Sequence, residues 1–306
     1  MSKLQRWLSL FGMAESVGAT GASSQLLPRI IGMVHVPAFP GTPASAMPMK
    51  TIIERCVTDA RALIAGGVDG LLVENANDVP YVNASRHPLG PEIVAGMTAV
   101  VAAIKGDASY KRTAARPLPI GIQVLAAANK EALAVALATD CQFIRAEGFV
   151  FGSVADEGYI DASAPELLRA RKMLGASDIQ VLTDIKKKHS SHAITADLSD
   201  ADTVEAARFF NIDGVILSGK TTGHATEPAR VADAVRRFST TTLGAQATEL
   251  LPVLVGSGVT SENIAGYSHA HTLIVGTTFR VNGLLSAPID EAAVRRLIQA
   301  RDAIRR

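Results

Sequence analysis

The chain has 306 residues, of which 48% are hydrophobic and 19% are charged, and its formal net charge is +1. This composition excludes global disorder and supports a large buried core, and the lack of a basic surplus argues against a nucleic-acid partner. The two cysteines, Cys56 and Cys141, lie in no metal-ligand spacing and suit a reducing compartment. Because no apolar run approaches the roughly 20 residues of a membrane helix, no transmembrane segment is expected.

Residues 1–28 are predicted to form an N-terminal extension, or a short helix with a linker, ahead of a single domain over residues 29–306. In this segment basic Lys3 and Arg6 stand beside apolar residues such as Trp7. That pattern is typical of a mitochondrial presequence, and a short helix that plugs the bottom of the domain is the alternative. The predicted location is therefore the cytoplasm, with the mitochondrial matrix as the alternative.

Eight short apolar runs, most of them followed by a helix-like stretch, repeat along the rest of the chain. The predicted strands are Ile30–Val36, Gly70–Glu74, Ile120–Leu125, Gln142–Glu147, Ile179–Ile185, Gly214–Ser218, Val253–Gly256 and Thr272–Gly276. A last helix is expected from near Asp290 to Arg306. Strands that alternate with helices indicate a parallel sheet, and eight of them predict a closed (β/α)8 barrel, a fold of about 250 residues. A doubly wound open sheet is the alternative, although it has no need of polar residues at so many strand ends.

Polar residues occur at strand positions that should face the barrel interior. Side chains alternate across a strand, so the apolar parity is assigned to the helix side and the other parity to the interior. The inward residues are then His35, Glu74, Gln123, Arg145, Glu147, Asp184 and Lys186. Since an ion buried without a partner costs several kcal/mol, these groups are predicted to form a functional site at the C-terminal ends of the strands. A ring of ion pairs that closes the barrel is the alternative.

The last two predicted strands end in VLVGSGVT, from Val253, and LIVGTTFR, from Leu273. Barrels of this kind frequently hold a phosphate in these two loops. Glycines let backbone N–H groups approach an anion, and a helix predicted after Thr260 would direct its N-terminus toward it. The predicted phosphate-binding residues are Gly256, Ser257, Gly258, Gly276 and Thr277. Tight turns at the barrel rim are the alternative.

The charged strand ends are predicted to perform acid/base chemistry. The predicted catalytic residues are Glu74, Glu147, Asp184, Lys186 and His35. Lys186 shares the parity of Asp184, so we interpret it as the cation or Schiff-base amine beside that carboxylate. Lys187 and Lys188 are predicted to form a solvated basic rim that attracts a phosphorylated substrate.

Further polar residues are predicted to contact the substrate. They are Asn75, Gln123, Arg145 and Lys220. For Arg145, an ion pair with Glu147 that merely holds the barrel is equally compatible with the pattern. No cofactor is assigned, but a divalent metal is an open alternative because imidazole and carboxylate are suitable ligands. Its ligands would be His35, Asp184, His189 and His192.

Six segments of the chain resemble the BtpA/SgcQ family. They are HVPAFPGTP from His35, DGLLVENANDVPY from Asp69, FIRAEGFVFG from Phe143, ADEG from Ala155, TDIKKKHSSH from Thr183 and VGSGVTSENI from Val255. The resemblance spans about Arg29 to Asp290, and the ENxxDVP and DxKxKH segments are its most specific parts. It implies a TIM barrel of the ribulose-phosphate-binding type. Family members are linked to photosystem I accumulation in cyanobacteria and to a sugar-phosphate operon in enteric bacteria, and no reaction follows from the family.

One segment departs from the bacterial pattern of that family. Many bacterial members carry a polar Arg-Asn-Asp run after the third strand, where this chain has apolar residues from Leu125 to Ala128. The chain therefore looks closer to the eukaryotic-type branch. The hypothesis is an enzyme, an isomerase, lyase or glycosidic hydrolase, that binds a small phosphorylated sugar or nucleotide-like ligand. The alternative is a non-catalytic assembly factor of the photosystem-linked type, and a homo-oligomer is an open expectation because barrels commonly form dimers.

Overall fold

The computed structural model describes residues 1–13, 26–111, 117–219, 225–239 and 250–304. A closed barrel of eight parallel strands forms its centre. With strands numbered in chain order, these are β1 (Arg29–His35), β2 (Gly70–Glu74), β3 (Ile120–Gln123), β4 (Phe143–Ala146), β7 (Gln180–Ile185), β9 (Gly214–Leu217), β10 (Val253–Val255) and β11 (Thr272–Val275). Each strand pairs with the next in this order, and β11 pairs with β1. The predicted (β/α)8 barrel is confirmed, and the alternative of an open sheet is wrong.

Helices pack against the outer face of the barrel. Helix α1 (Lys3–Ser9) is the exception, because it lies below the barrel. The helices on the outer face are α2 (Met49–Gly66), α3 (Pro91–Gly106), α4 (Ala108–Lys111), α5 (Asn129–Ala138), α6 (Ala164–Met173), α7 (Asp200–Phe209), α8 (Pro228–Phe238) and α9 (Glu291–Asp302). Between β10 and β11 a short 3-10 turn, Ile264–Tyr267, stands in place of a helix. Among the residues in these ranges, no helix has the length and hydropathy that a bilayer span demands.

A second, three-stranded sheet is built from the loops that follow β4 and β7. Its strands are β5 (Ser153–Ala155), β6 (Gly158–Ile160) and β8 (Ser190–Ser191), with β5 in the centre and antiparallel to both. The side-chain amide of Asn83, in the loop after β2, donates to the carbonyls of Glu157 at 3.2 Å and Tyr159 at 2.8 Å. The small sheet is thereby attached to the loops at the C-terminal end of the barrel.

The strand boundaries lie within two residues of those predicted. The largest difference is at β3, which ends at Gln123 rather than at Leu125. There the N–H of Leu125 donates to the side-chain oxygen of Asn75 at 2.8 Å instead of to a neighbouring strand. The last helix begins after Asp290, whose side chain accepts from the N–H of Ala292, as a capping residue does.

The N-terminal helix α1 closes the bottom of the barrel. The Trp7 ring is fully buried, meets Phe143 edge-on at 5.1 Å and donates from Nε1 to Thr272 Oγ1 at 2.9 Å. Leu4 and Leu8 are buried beside it. The other buried residues of this lower interior are Ile31, Met33, Leu72, Leu182, Ile216, Leu250, Leu254 and Ile274. Helix α1 is therefore part of the apolar packing at the bottom of the barrel.

Candidate active site

Polar side chains fill the C-terminal half of the barrel interior. The strand register aligns His35 with Glu74, and Glu74 with Gln123, so these side chains lie side by side at the ends of β1, β2 and β3. Five of the predicted site residues in this half, His35, Gln123, Arg145, Glu147 and Asp184, are buried, with between 2% and 8% of their surface exposed. The strand parity thus brings together most of the residues that the sequence predicts for the site.

Arg145 and Asp184 form a buried ion pair. Nε and Nη2 of Arg145 each donate to the carboxylate at 2.7 Å, and the Ser218 hydroxyl donates to the same carboxylate at 3.0 Å. Burial disfavours both charges, but the mutual attraction outweighs it. The pKa of Asp184 therefore lies below its usual value and that of Arg145 above. Asp184 stays anionic and holds Arg145 in place, which does not favour the proton-handling role predicted for it.

Glu147 is held by three donors. Oε1 accepts from Gln123 Nε2 at 3.2 Å, and Oε2 accepts from the N–H of Ala127 at 3.0 Å and lies 3.1 Å from Lys187 Nζ. Although burial acts to lower the pKa of Lys187, the Glu147 carboxylate outweighs it and the pKa is raised. The pair is therefore charged and anchored. The side-chain oxygen of Gln123 has no hydrogen-bond partner within the described part of the chain.

The predicted directions of the three consecutive lysines are wrong. Lys186 does not point into the barrel, because its backbone is left-handed at φ 50° and ends the strand alternation at Ile185. Its ammonium instead donates to the carbonyl of Leu198 at 2.6 Å. Lys187 and Lys188, predicted as a solvated rim, are the lysines that turn toward Glu147 and toward the interior of the barrel mouth.

His35 is oriented by Arg280, a residue that the sequence interpretation missed. Arg280 Nε donates to His35 Nδ1 at 3.2 Å, and its Nη2 lies 3.0 Å from Asp59 Oδ2. The imidazole proton is consequently on Nε2, which lies 3.7 Å from Glu74 Oε2. Burial, and then the charge of Arg280, lowers the pKa of His35 to about 3, so the ring is neutral at physiological pH. The signal in the sequence is that Arg280 is the one charged residue in the segment 276–284, just after the last strand.

Glu74 and Lys188 face the same space and are both shifted toward their uncharged forms. Burial raises the pKa of Glu74, although Arg145 and Lys188 oppose this. Burial also lowers the pKa of Lys188, and the nearby Arg145 guanidinium lowers it further. Shifts in these directions bring the pKa values of a carboxyl group and an amine closer together, which is typical of acid/base groups in a site.

The backbone of the two glycine loops lies close to the polar side chains of the barrel mouth. A Cβ at Gly276 would lie 2.9 Å from His35 Cε1, and one at Gly256 would lie 2.8 Å from Ser218 Oγ and 3.2 Å from Arg145 Nη2. Both positions therefore require glycine for close approach rather than for a turn alone. Ser257, also buried, accepts from the N–H of Gly219 at 3.0 Å.

Backbone amides of both loops line the space above these glycines. Within the described residues, the N–H groups of Gly258 and Thr277 donate to no protein acceptor. The helix predicted after Thr260 is only the four-residue 3-10 turn Ile264–Tyr267. That expectation is wrong, because such a turn aligns too few peptide dipoles to present a helix N-terminus.

The predicted substrate contact Asn75 is hydrogen-bonded within the protein instead of lining the barrel mouth. Asn75 is 1% exposed, and both polar atoms of its side chain are hydrogen-bonded: the amide nitrogen donates to Asp78 at 3.0 Å, and the oxygen accepts from the N–H of Leu125. Asn75 thus has a structural role, which does not favour the substrate contact predicted for it. Lys220 lies outside the described residues.

The four ligands of the alternative metal site do not come together. His35 is bound to Arg280, and Asp184 holds Arg145. His192 Nε2 instead lies 2.9 Å from the carbonyl of Lys187, in the loop after β7, and His189 is exposed. In the parts of the chain that are described, no three His, Cys, Asp or Glu side chains are near enough to share a metal ion.

One cavity at the C-terminal mouth joins these features. Its charged and ionisable lining consists of His35, Glu74, Arg145 and Lys188, and its opposite wall is the segments 256–259 and 274–278. It contains about 440 Å³ of empty space, part of which is open to solvent. The arrangement can bind an anion through backbone amides and place an acid/base group and an amine beside it.

The BtpA family model matches residues 28–303, so the chain belongs to the BtpA family. Uncharacterized protein F13E9.13, mitochondrial, of Caenorhabditis elegans is 41% identical over 281 residues, which cover 91% of this chain and 95% of that protein. Photosystem I biogenesis protein BtpA of Synechocystis sp. is 33% identical over 89% of this chain and 87% of its own length. The crystal structure of KGPDC from Streptococcus mutans superposes with a TM-score of 0.53 at 11% identity, covering 91% of this chain and 99% of that one. This last likeness concerns the fold alone, a (β/α)8 barrel.

Proposed function

We propose that this BtpA-family barrel is an enzyme that binds a small phosphorylated sugar or nucleotide-like ligand at its C-terminal mouth and performs acid/base chemistry on it. The observation that carries the proposal is the shared cavity: His35, Glu74, Arg145 and Lys188 line the same space as the two glycine loops. Barrels of this class do their chemistry at this face, and a charged cluster in a cavity is the usual mark of such a site.

The phosphate would bind against the segments 256–259 and 274–278. The N–H groups of Gly258 and Thr277 supply donors that have no acceptor in the described protein. The two amides belong to different loops that line one cavity, and backbone N–H groups gathered in this way can bind an anion. The guanidinium of Arg145, beside Gly256, adds positive charge next to the same loop.

Proton transfer would fall to Glu74. Its raised pKa lets the carboxyl group take a proton from a carbon next to a carbonyl and return it to a neighbouring atom. The neutral His35 would donate its Nε2–H to the carbonyl oxygen as negative charge develops there. This supports isomerisation or aldol-type cleavage. Hydrolysis of a glycosidic bond uses two free carboxyl groups, whereas Glu147 and Asp184 are already held by cations.

Thermal unfolding in the presence of ligand tests the binding step. Inorganic phosphate and ribose 5-phosphate should each raise the Tm of the full chain, since a ligand that binds only the folded state stabilises it. Ser257→Asp should abolish the shift by placing a negative charge in the phosphate position, while the new carboxylate can still accept from Gly219. Ser268→Asp, at the opposite end of the barrel, is the matched control and should keep the shift.

The second candidate function is a non-catalytic assembly factor. It is favoured by the name of the Synechocystis relative, a photosystem I biogenesis protein. A Tm that responds to none of the phosphate compounds, in the parent chain and in both variants alike, would support this alternative over the enzyme.

We also propose the mitochondrial matrix, rather than the cytoplasm, as the location. The proposal is supported by the word mitochondrial in the name of the Caenorhabditis elegans relative. A fluorescent protein fused after Arg306 and imaged against a matrix marker tests it, and diffuse cytoplasmic fluorescence would contradict it.

A further inference from the structure

The three consecutive lysines after β7 differ in what their ammonium groups contact. Lys186 donates to the carbonyl of Leu198 at 2.6 Å, and Lys187 pairs with Glu147 at 3.1 Å. Lys188 forms no hydrogen bond or ion pair within the part of the chain that the structure describes, and it lines the cavity at the barrel mouth. One amine of the three is therefore available to a bound molecule.

We propose that Lys188 is a nucleophilic lysine, which forms an imine with the carbonyl carbon of a phosphorylated ketose or aldose bound in this cavity. The inference rests on the proposed function, and it narrows the substrate class from phosphorylated ligands in general to phosphorylated carbonyl compounds.

Only an uncharged amine attacks a carbonyl, so the surroundings of Lys188 matter. Burial and the neighbouring Arg145 guanidinium both lower the pKa of Lys188, which enlarges its neutral fraction. Lys187 has the opposite environment, because the Glu147 carboxylate raises its pKa. The carboxylates of Glu74, Asp184 and Glu147 also act to raise the pKa of Lys188, but burial and Arg145 outweigh them. A lysine that merely bound phosphate would gain from a net shift toward the charged form, whereas the net shift of Lys188 is toward the neutral form.

The reaction balances with groups on the cavity wall. The neutral Nζ of Lys188 attacks the carbonyl carbon, a C–N bond forms, and the amine proton moves to the oxygen to give a carbinolamine. Glu74, whose pKa is raised so that it can hold a proton, then protonates the hydroxyl. The C–O bond breaks, water leaves, and the protonated imine faces the Glu74 carboxylate. No oxidant or reductant takes part.

Reductive trapping tests this step. The full chain is incubated with sodium cyanoborohydride and either dihydroxyacetone phosphate or ribose 5-phosphate, and the products are analysed by intact mass and peptide mapping. One adduct is expected, on Lys188, with a mass increase equal to the sugar phosphate less one oxygen atom. An excess of inorganic phosphate should suppress it, and unphosphorylated dihydroxyacetone should give far less of it.

Two variants complete the experiment. Lys188→Met should abolish the adduct, while Lys186→Met, which removes a lysine bound to the backbone, should keep it.

No adduct with either sugar phosphate, or adducts spread over exposed lysines such as Lys172, overturns the imine proposal. So does loss of the phosphate-induced Tm shift in Lys188→Met, since that identifies Lys188 as a phosphate ligand. An adduct on Lys188 that excess phosphate does not suppress, in a chain that phosphate does not stabilise, would leave the imine standing and remove the phosphate site.

Discussion

The two halves of the barrel interior differ in chemistry although the same strands build both. On β4, Phe143 packs against Trp7 in the lower half, and two residues later Arg145 binds Asp184 in the upper half. The same step of two residues, from an apolar side chain to a polar one or to glycine, separates Met33 from His35, Leu72 from Glu74, Leu182 from Asp184, Ile216 from Ser218, Leu254 from Gly256 and Ile274 from Gly276. One strand thus supplies stability at one end and a site at the other.

Substitutions in the two halves should therefore have different effects. Apolar contacts in the lower half stabilise without directionality, so truncating them should lower stability and leave ligand binding alone. The groups of the upper half are polar or charged. Substituting a group whose charge is paired, such as Arg145, should lower stability more than substituting one without a partner among the described residues, such as Lys188. Four predictions test this difference between the lower and the upper half.

Trp7→Ala should have the largest effect on stability. Removing a fully buried aromatic side chain typically lowers the free energy of unfolding by roughly 3–5 kcal/mol. Urea unfolding followed by circular dichroism measures it, because Trp7 is the chain's single tryptophan and its fluorescence is lost with it. Trp7→Phe, which keeps a ring against Phe143, should cost less. A Tm shift with phosphate that disappears in Trp7→Ala would contradict the separation of the two halves.

Arg145→Met should lower the free energy of unfolding by about 3 kcal/mol, the lower end of the range for breaking a buried ion pair. The lower end applies because Ser218 still donates to the stranded Asp184 carboxylate. The double variant Arg145→Met/Asp184→Leu should recover most of this stability, as both charges are gone. If the double variant lost as much free energy of unfolding as the two single variants together, the ion pair would not be the source of the effect.

Stability should fall in acid because of a buried histidine at the base of the barrel. His271 accepts from the N–H of Val253 at 3.1 Å, and burial lowers its pKa from 6.5 to about 4. The unfolded chain takes up the proton first, so the contribution is complete above pH 6.5 and decreases toward pH 4, by up to about 1.4 kcal/mol per pH unit.

His271→Asn, followed by urea unfolding across this pH range, should therefore give a shallower decline than the parent chain. The exposed His269→Asn is the matched control and should keep the parent slope. His35 at the mouth acts with the same sign, so part of the slope should persist in His271→Asn. An unchanged slope in that variant would mean that His271 takes up its proton equally readily in the folded and the unfolded chain.

Lys188→Met should have the smallest effect, changing the free energy of unfolding by less than about 1 kcal/mol, since no described partner is lost. Lys187→Met is its matched neighbour and should be more destabilising, because it leaves the buried Glu147 carboxylate without its cation. Chemical denaturation of both variants side by side gives the comparison. Equal losses would show that Lys188 has a structural partner.

Regular strands made much of the site predictable. Because side chains alternate strictly on a strand, apolar residues such as Ile144 identified the helix side, and Arg145 then had to face inward. The prediction failed at Lys186, where a left-handed backbone ends the alternation, and nothing in a run of three lysines marks that point. It also missed Arg280, which follows the last strand and reaches a histidine 245 positions earlier in the chain.

The order and parity of the strands were determined by the sequence alone, because hydrophobic periodicity and glycine placement act locally along the chain. They predict the closed barrel, the end of it that carries the candidate site, and the two glycine loops. Only the tertiary structure decided which charges are paired, which of the three lysines has no partner among the described residues, and which nitrogen of His35 carries the proton. These depend on distances between side chains far apart in sequence, and burial then acts on the charges according to the partners that they have found.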